Sequence, residues 1–403
     1  MLCHASTEIA MFLVLPFVND DNLFPAYDQG QYYFLTALIM FTLFGWGYAF
    51  DIRLWLAARI NYAKVFGLKG HYVLRRSGIA RLSAVLASFQ LASAVVCFAL
   101  AWREPDYMAV GTAFLIAALL VHICFFLSPK GLHPESRLFL GKVLLACFCV
   151  PFAFPVTFVA NVVADVLTSA GSAIYRFQYG LCALFTSAWL HPGISDDYCG
   201  GDSLYNRIML PLATALPFWL RFMQCMSRYF EALYNNKRGW DAHQHFVNAL
   251  KYVSALMVVI TDTLTRYHGG TGYHNAWVAA LIVKTVYCYL WDVMMDWGLW
   301  RTGSPFALRT TTMFPRQAYY FAMLTNAFGR VAWAFGISPH QYPEEWTLVL
   351  QTVEVLRRIQ WLIFRVENEY IAIKRFPQKN QEPLAQVEDA NSSSNSEGDD
   401  PKH

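Results

Sequence analysis

The chain has 403 residues, of which 56% are hydrophobic, 16% aromatic and only 15% charged, and its formal net charge is +3. A soluble domain carries roughly 25% charged residues, so the composition excludes an ordinary soluble protein and favours a membrane protein. The basic loops contain no basic–aromatic nucleic-acid pattern, and we expect no nucleic-acid partner.

Apolar runs that approach the ~20 residues needed to cross the hydrocarbon core recur along the chain. After an opening segment interrupted by polar residues, the clearest runs are Tyr32–Phe50, Leu82–Trp102, Met108–Leu127, Val143–Val163, Ala255–Thr265, Ala276–Leu290 and Tyr319–Ile337. Weaker runs are Ala173–Leu190 and Ile208–Cys225. Such long runs argue against a barrel of short alternating strands. The sequence predicts an all-α polytopic membrane protein with about ten transmembrane helices.

Lys and Arg are concentrated in some loops and nearly missing from the alternate ones. The basic stretches are Arg53–Arg81, Lys130–Lys142, Arg228–Lys251, Arg301–Arg316 and the segment after Arg357. The positive-inside rule places these stretches and the C terminus in the cytosol. If Val143–Val163 and Ala173–Leu190 both cross completely, however, the two halves of the chain disagree in orientation. We therefore expect one early segment to be re-entrant or only half inserted.

An unusual density of charge marks the apolar helix predicted at Val353–Tyr370. At helical spacing, Glu354, Arg358, Arg365 and Glu369 fall close to one stripe. Ionisable residues inside a membrane segment commonly mark an ion or substrate path. The segment therefore predicts one wall of such a path.

Other apolar segments carry further charged residues. The cations are Arg221, Lys251, Arg330, Arg357 and Arg358, and the acids are Asp165, Asp292, Asp296 and Glu354. Asp292 and Asp296 lie four residues apart and are expected on one face of a helix. Snorkelling at helix ends and isolated structural ion pairs are the alternatives. Because Arg suits multidentate capture of phosphate or carboxylate, the cation-rich set favours an oxyanion over a metal ion.

Nine cysteines form no CxxC pair and no metal-ligand spacing, so we expect no metal and no other cofactor. The chain also has no P-loop, no GxSxG elbow and no HExxH motif. Nothing therefore indicates an ATP-driven pump or a protease, and we expect no catalytic chemistry. A membrane-embedded enzyme that handles a phosphorylated lipid or sugar is an alternative, although no base–nucleophile pair is evident.

Several separated blocks resemble the EXS family, the membrane domain of plant and animal phosphate exporters that also includes the xenotropic and polytropic retrovirus receptor and a yeast Golgi protein. The blocks are ADVLTS (Ala164–Ser169), LPFWLRFMQCMSRY (Leu216–Tyr229), VNALKY (Val247–Tyr252), LWDVMMDWGLW (Leu290–Trp300), FPRQAYYFAM (Phe314–Met323), GRVAW (Gly329–Trp333) and VEVLRRIQWLIFRVENEY (Val353–Tyr370). The resemblance is strong over Ala164–Tyr370 and looser from about Tyr32.

The resemblance implies transport of inorganic phosphate through an EXS-type helical core in the lipid bilayer. Its implied phosphate-binding residues are Arg221, Lys251, Tyr252, Arg330, Arg357 and Arg358. The supporting residues are Asp165, Thr168, Asp292, Asp296 and Glu354, and Trp333 is the implied gate. Thr168 stands where family members often have Asn, and its hydroxyl can substitute for the amide.

We expect four regions: a short N-terminal segment (1–31), N-terminal transmembrane helices (32–163), the EXS core (164–376) and a disordered acidic cytosolic tail (377–403). Only about thirty residues precede the first span, too few for the SPX domain that begins many family members. This short form resembles the yeast Golgi member.

The implied activity is therefore channel-like phosphate efflux or recycling of phosphate from the Golgi lumen to the cytosol. We favour the Golgi membrane, with the plasma membrane as the alternative, and a homodimer is a further expectation. A Golgi sorting or retention adaptor for glycosyltransferases, which binds Golgi enzymes or coat proteins, is the alternative function. Deleting the segment after Pro377 separates the two, because an adaptor loses retention whereas a transporter keeps its flux.

Overall fold

The structure is a computed structural model that describes residues 29–68, 78–79, 83–88, 90, 108–127, 134–149, 156–186, 198–201, 203–300, 308–332 and 344–375. All the regular elements in these ranges are helices, which confirms the all-α prediction. They are α1 (Gln29–Ala57), α2 (Tyr62–Val65), α3 (Met108–Leu127), α4 (Pro134–Cys149), α5 (Phe158–Ser169), α6 (Gly171–Phe185), α7 (Leu204–Tyr234), α8 (Trp240–His268), α9 (Thr271–Trp291) with a π-helical turn (Asp292–Asp296), α10 (Arg316–Val331) and α11 (Glu344–Arg375).

Four helices of the described ranges are long and apolar enough to cross a membrane: α1, α7, α8 and α9 together with its π turn. A fifth span results if the bent pair α5–α6 counts as one. The chain is thus a helical membrane protein. The number of about ten spans stays a prediction, because Leu82–Trp102 and the end of Tyr319–Ile337 lie largely outside the described residues.

The predicted continuous span Val143–Val163 is wrong. Helix α4 ends at Cys149, and α5 begins only at Phe158, where the Thr157 hydroxyl caps the helix by accepting from the Ala160 amide at 3.2 Å. Pro151 and Pro155 fall between the two helices, and proline interrupts helical hydrogen bonding. Helices α5 and α6 then meet at 68°. The predicted conflict in orientation between the two halves of the chain requires that Val143–Val163 and Ala173–Leu190 both cross the membrane completely, and the break between α4 and α5 removes that condition for Val143–Val163.

A disulfide joins Cys182 near the end of α6 to Cys199 before α7. Disulfides persist in oxidising compartments, so this end of both helices faces the lumen or the cell exterior. The intervening segment contains neither Lys nor Arg, as the positive-inside rule requires of such a loop. Helix α7 runs from this side to the basic turn at Lys237 and Arg238, which the positive-inside rule predicts to be cytosolic. The cysteine spacing had not predicted the pairing.

Close packing holds α1 against α6 and α11. Gly180 of α6 lies so near Phe34 of α1 that a Cβ atom at Gly180 would approach the Phe34 Cβ to 2.6 Å. Gly47 of α1 similarly accommodates the Ile359 side chain of α11. Small residues at such contacts let helices in a membrane approach closely. Helices α7, α8 and α9 pack as two successive hairpins, so that α11, α5 and the hairpins surround a common interior.

Candidate functional site

Charged side chains from six helices converge in this interior. The cations are Arg221 on α7, Lys251 on α8, Lys284 on α9, Arg330 on α10, and Arg357 and Arg358 on α11. The carboxylates are Asp165 on α5, Asp292 in the π turn and Glu354 on α11. We call these nine residues the cationic site.

Arg221 is tied to α5 and α8. Its side chain is only 1% exposed, and its Nε donates to Asp165 Oδ1 at 3.0 Å and to the Tyr252 hydroxyl at 3.0 Å. The Tyr252 hydroxyl in turn donates to the same Asp165 oxygen at 2.5 Å. The charge of Arg221 is therefore balanced by one carboxylate, and the tyrosine holds both groups in place.

Two amides complete the hydrogen bonding of Arg221. Its Nη1 donates to Asn161 Oδ1 at 2.5 Å and to Gln224 Oε1 at 2.7 Å. Both amides lie one helical turn from their charged neighbours, Asn161 before Asp165 and Gln224 after Arg221. Such spacing is readable from sequence, but the sequence analysis had not selected either residue.

Asp292 is the centre of a second group. Its Oδ2 accepts from Arg330 Nε at 2.9 Å, from Arg330 Nη2 at 2.5 Å and from Asn326 Nδ2 at 3.0 Å, and Arg357 Nη1 lies 3.6 Å away. Asn326 stands one turn before Arg330 on α10 and also accepts from Arg357 Nη1 at 3.1 Å. One carboxylate thus faces two guanidinium groups.

Arg357 reaches this group past a glycine. Its Nε and Nη2 donate to the two oxygens of Glu354 at 2.7 and 2.5 Å, a two-point contact one turn along α11. A Cβ atom at Gly329 would lie 3.0 Å from Arg357 Cδ, so the backbone of α10 leaves room for this side chain. The Glu354 side chain is itself 33% exposed, which makes it the open edge of the site.

Arg358 is bound by hydroxyl groups rather than by a carboxylate. Its Nε donates to Ser169 Oγ at 2.7 Å and its Nη2 to Thr168 Oγ1 at 3.1 Å. The Ser169 hydroxyl in turn donates a hydrogen bond to Glu354 Oε1 at 2.5 Å. No carboxylate of the described residues lies within ion-pair distance of Arg358, so its charge is not locally neutralised. Ser169 is not among the residues predicted from the sequence.

Lys251 is 6% exposed, and its ammonium makes no hydrogen bond or ion pair with any described residue. Its Nζ lies 4.6 Å from the ring centroid of Tyr252 and 5.6 Å from that of Trp291. Its charge interacts with those of Asp165 and Asp292, one from each group. Lys251 therefore lies between the two groups as a buried cation with unused donors.

Asp292–Asp296, the two ends of the predicted shared face, form a π-helical turn. Both aspartates approach α11: Asp292 lies 3.6 Å from Arg357 Nη1, and Asp296 contacts the following turns of α11 and interacts with the charge of Lys251. Trp361 Nε1 donates to Asp296 Oδ2 at 3.1 Å, and Arg365 Nε lies 3.6 Å from Asp296 Oδ1. Asp296 contacts none of the site's arginines. The implied gate Trp333 lies outside the described residues.

The remaining charges of the Val353–Tyr370 stripe are paired among themselves or anchored. Arg365 donates to Glu369 at 3.0 Å. Glu367 is fully buried, where it accepts from the Tyr319 hydroxyl at 2.5 Å and the Met313 amide at 2.7 Å and pairs with Arg309. These contacts fix α11 to the segment before α10 and contribute no free charge.

Charge balance sets the chemistry of the cationic site. Six formal positive charges face three carboxylates, which leaves a net charge of +3 in a largely buried region. An uncompensated charge at this depth is costly, so the site favours an anion that reaches the free donors of Lys251 and Arg358. A separate cavity of about 500 Å³ between α1, α10 and α11 is lined almost wholly by apolar residues and offers no cation.

The fold and site together define a helical membrane protein with a buried, anion-attracting centre. Residues 32–371 match the EXS family, and the chain belongs to it. The match confirms the resemblance drawn from the separated sequence blocks.

Three relatives illustrate the similarity. SPX and EXS domain-containing protein 1 of Dictyostelium discoideum is 30% identical over 390 residues, which cover 91% of this chain and 40% of the relative. Phosphate transporter PHO1 homolog 10 of Arabidopsis thaliana is 28% identical, with 90% of this chain and 47% of the relative covered. Human solute carrier family 53 member 1 is 28% identical, with 79% and 47% covered. The chain therefore spans less than half the length of these relatives.

Proposed function

We propose that this protein carries inorganic phosphate across the membrane through the cationic site. The observation that carries the proposal is the net charge of +3, with Lys251 and Arg358 both lacking a carboxylate partner within ion-pair distance among the described residues. A relative named as a phosphate transporter supports the choice of anion. The function is transport rather than catalysis.

The arrangement suits a tetrahedral oxyanion. Lys251 and Arg358 approach from α8 and α11, and the acids keep Arg221, Arg330 and Arg357 oriented. A transported ion must bind well enough to enter and weakly enough to leave. The three carboxylates limit how strongly the site attracts the anion, so that phosphate is released on the far side.

Direction and compartment belong to the same proposal. We favour recycling of phosphate from the Golgi lumen to the cytosol, with flux set by the gradient. Under this proposal the protein works as a transporter without help from its C-terminal tail. A chain that ends at Pro377 should therefore transport phosphate as the full chain does, whereas loss of Golgi retention with unchanged flux would point to an additional adaptor role.

The test measures radiolabelled phosphate flux in proteoliposomes that contain the purified full chain. We expect Arg358→Ala and Arg330→Ala to reduce flux to the background of protein-free liposomes, and sulfate to compete in the wild type. Arg266→Ala is the matched control, because that arginine is 57% exposed and pairs only with Asp262 among the described residues. Flux at the wild-type level in both site variants would exclude the proposed path.

A further inference from the structure

Lys284 is a cation that neither the sequence analysis nor the family resemblance had selected. It is half-buried on α9, and its Nζ lies 5.0 Å from the ring centroid of Phe218 on α7. Within the described residues its ammonium has no hydrogen bond and no ion pair. Phe218 lies one turn before Arg221 on α7, so the aromatic ring directs Lys284 to the helix face that carries Arg221.

Helical spacing places Lys284 in line with the site. Residues 284, 288, 291 and 292 follow the period of an α-helix and share one face of α9. Lys284 is eight residues before Asp292, or about 12 Å along the helix axis at 1.5 Å per residue. Its charge interacts with those of Glu354, Arg330 and Arg357. Lys284 therefore faces the open edge of the site rather than its centre.

The disulfide indicates on which side of the membrane the open edge of the site lies. Helix α7 starts on the side of the Cys182–Cys199 bond, α8 returns to it, and α9 starts there at Thr271. Because Lys284 precedes Asp292 on α9, it lies on the lumenal or extracellular side of the second group. Glu354, the most exposed carboxylate of the site, is the one whose charge interacts with that of Lys284.

We propose that Lys284 is a further anion-binding residue, which receives the oxyanion at the lumenal or extracellular entrance before Lys251 and Arg358 bind it. This inference rests on the proposed function of the site. An ammonium on a flexible stem with three donors suits this task, since it can follow an ion over several ångströms.

The experiment compares the dependence of phosphate flux on phosphate concentration among variants in proteoliposomes. Lys284→Met keeps the length of the side chain and removes the charge, and we expect it to raise KM about tenfold while the maximal rate changes less than twofold. Lys284→Gln should behave in the same way, and Lys284→Arg should restore a KM near that of the wild type. Lys237→Met, in the exposed turn between α7 and α8, is the matched control.

The outcomes separate the two proposals. If Arg358→Ala abolishes flux while both neutral variants of Lys284 keep the wild-type KM, the entrance role is wrong and the proposed function stands. If Lys284→Arg fails to restore KM, the charge is not what matters, and the inference is again overturned. If the wild type transports no phosphate, both proposals fail together.

Discussion

Replacing Asp165 with alanine is expected to destabilise the protein by about 3 kcal/mol, at the lower end of the range for breaking a buried ion pair. The pair is scarcely exposed, with side-chain exposures of 1% for Arg221 and 6% for Asp165, so solvent does not screen the loss. Arg221 would keep its hydrogen bonds to Asn161 and Gln224, which is why the lower end applies. The tyrosine hydroxyl of Tyr252 would also lose its acceptor.

The free energy of unfolding can be measured by denaturation with SDS in mixed micelles. Asp165→Asn, which keeps an acceptor oxygen, should lose less than Asp165→Ala. The combination of Asp165→Leu with Arg221→Met should recover much of the loss of Asp165→Leu alone, because an apolar pair leaves no unpaired buried charge. A loss below about 1 kcal/mol for Asp165→Ala would refute the view that this pair is buried and interdependent.

Two further predictions concern packing and cross-linking. Gly180→Ala should destabilise the protein by about 1–3 kcal/mol, because the new methyl group meets Phe34. Gly171→Ala at the start of the same helix meets nothing within 4 Å and should leave stability unchanged or slightly raised. Equal effects of the two variants in the same unfolding assay would contradict this prediction. Joint replacement of Cys182 and Cys199 by serine should cost about 3 kcal/mol for a loop of this length, and a reducing agent should destabilise the wild type but not the double variant.

Much of the cationic site was predictable because buried charge in an apolar segment is rare and therefore conspicuous. Asp165, Arg221, Lys251, Asp292, Arg330 and the pair Arg357–Arg358 were all selected for that reason, and all lie in the same interior. Their uncharged partners were not selected, although Asn161 and Asn326 each stand one turn from a charged residue. A polar residue at such spacing is common on any helix, so only the fold shows which ones contribute.

Features that depend on the conformation of the backbone could not be predicted from the sequence. The break between α4 and α5 lies within a run whose hydropathy is continuous, and only the two prolines signal it. The disulfide joins cysteines 17 residues apart, one inside a weak apolar run and one in a polar loop, so no spacing rule finds it. The π turn leaves no mark in composition, and the spacing of Asp292 and Asp296 predicts an ordinary α-helical turn there.

That π turn contains one residue more than an α-helical turn would need. Each residue of an α-helix advances the side chains by about 100°, so the surplus residue works like a one-position insertion. Both aspartates meet α11, Asp292 at Arg357 and Asp296 at Trp361 and Arg365. Removing the surplus residue would rotate everything after the turn by about 100° relative to α9. The surplus residue therefore sets the rotation at which the chain leaves α9 beside α11.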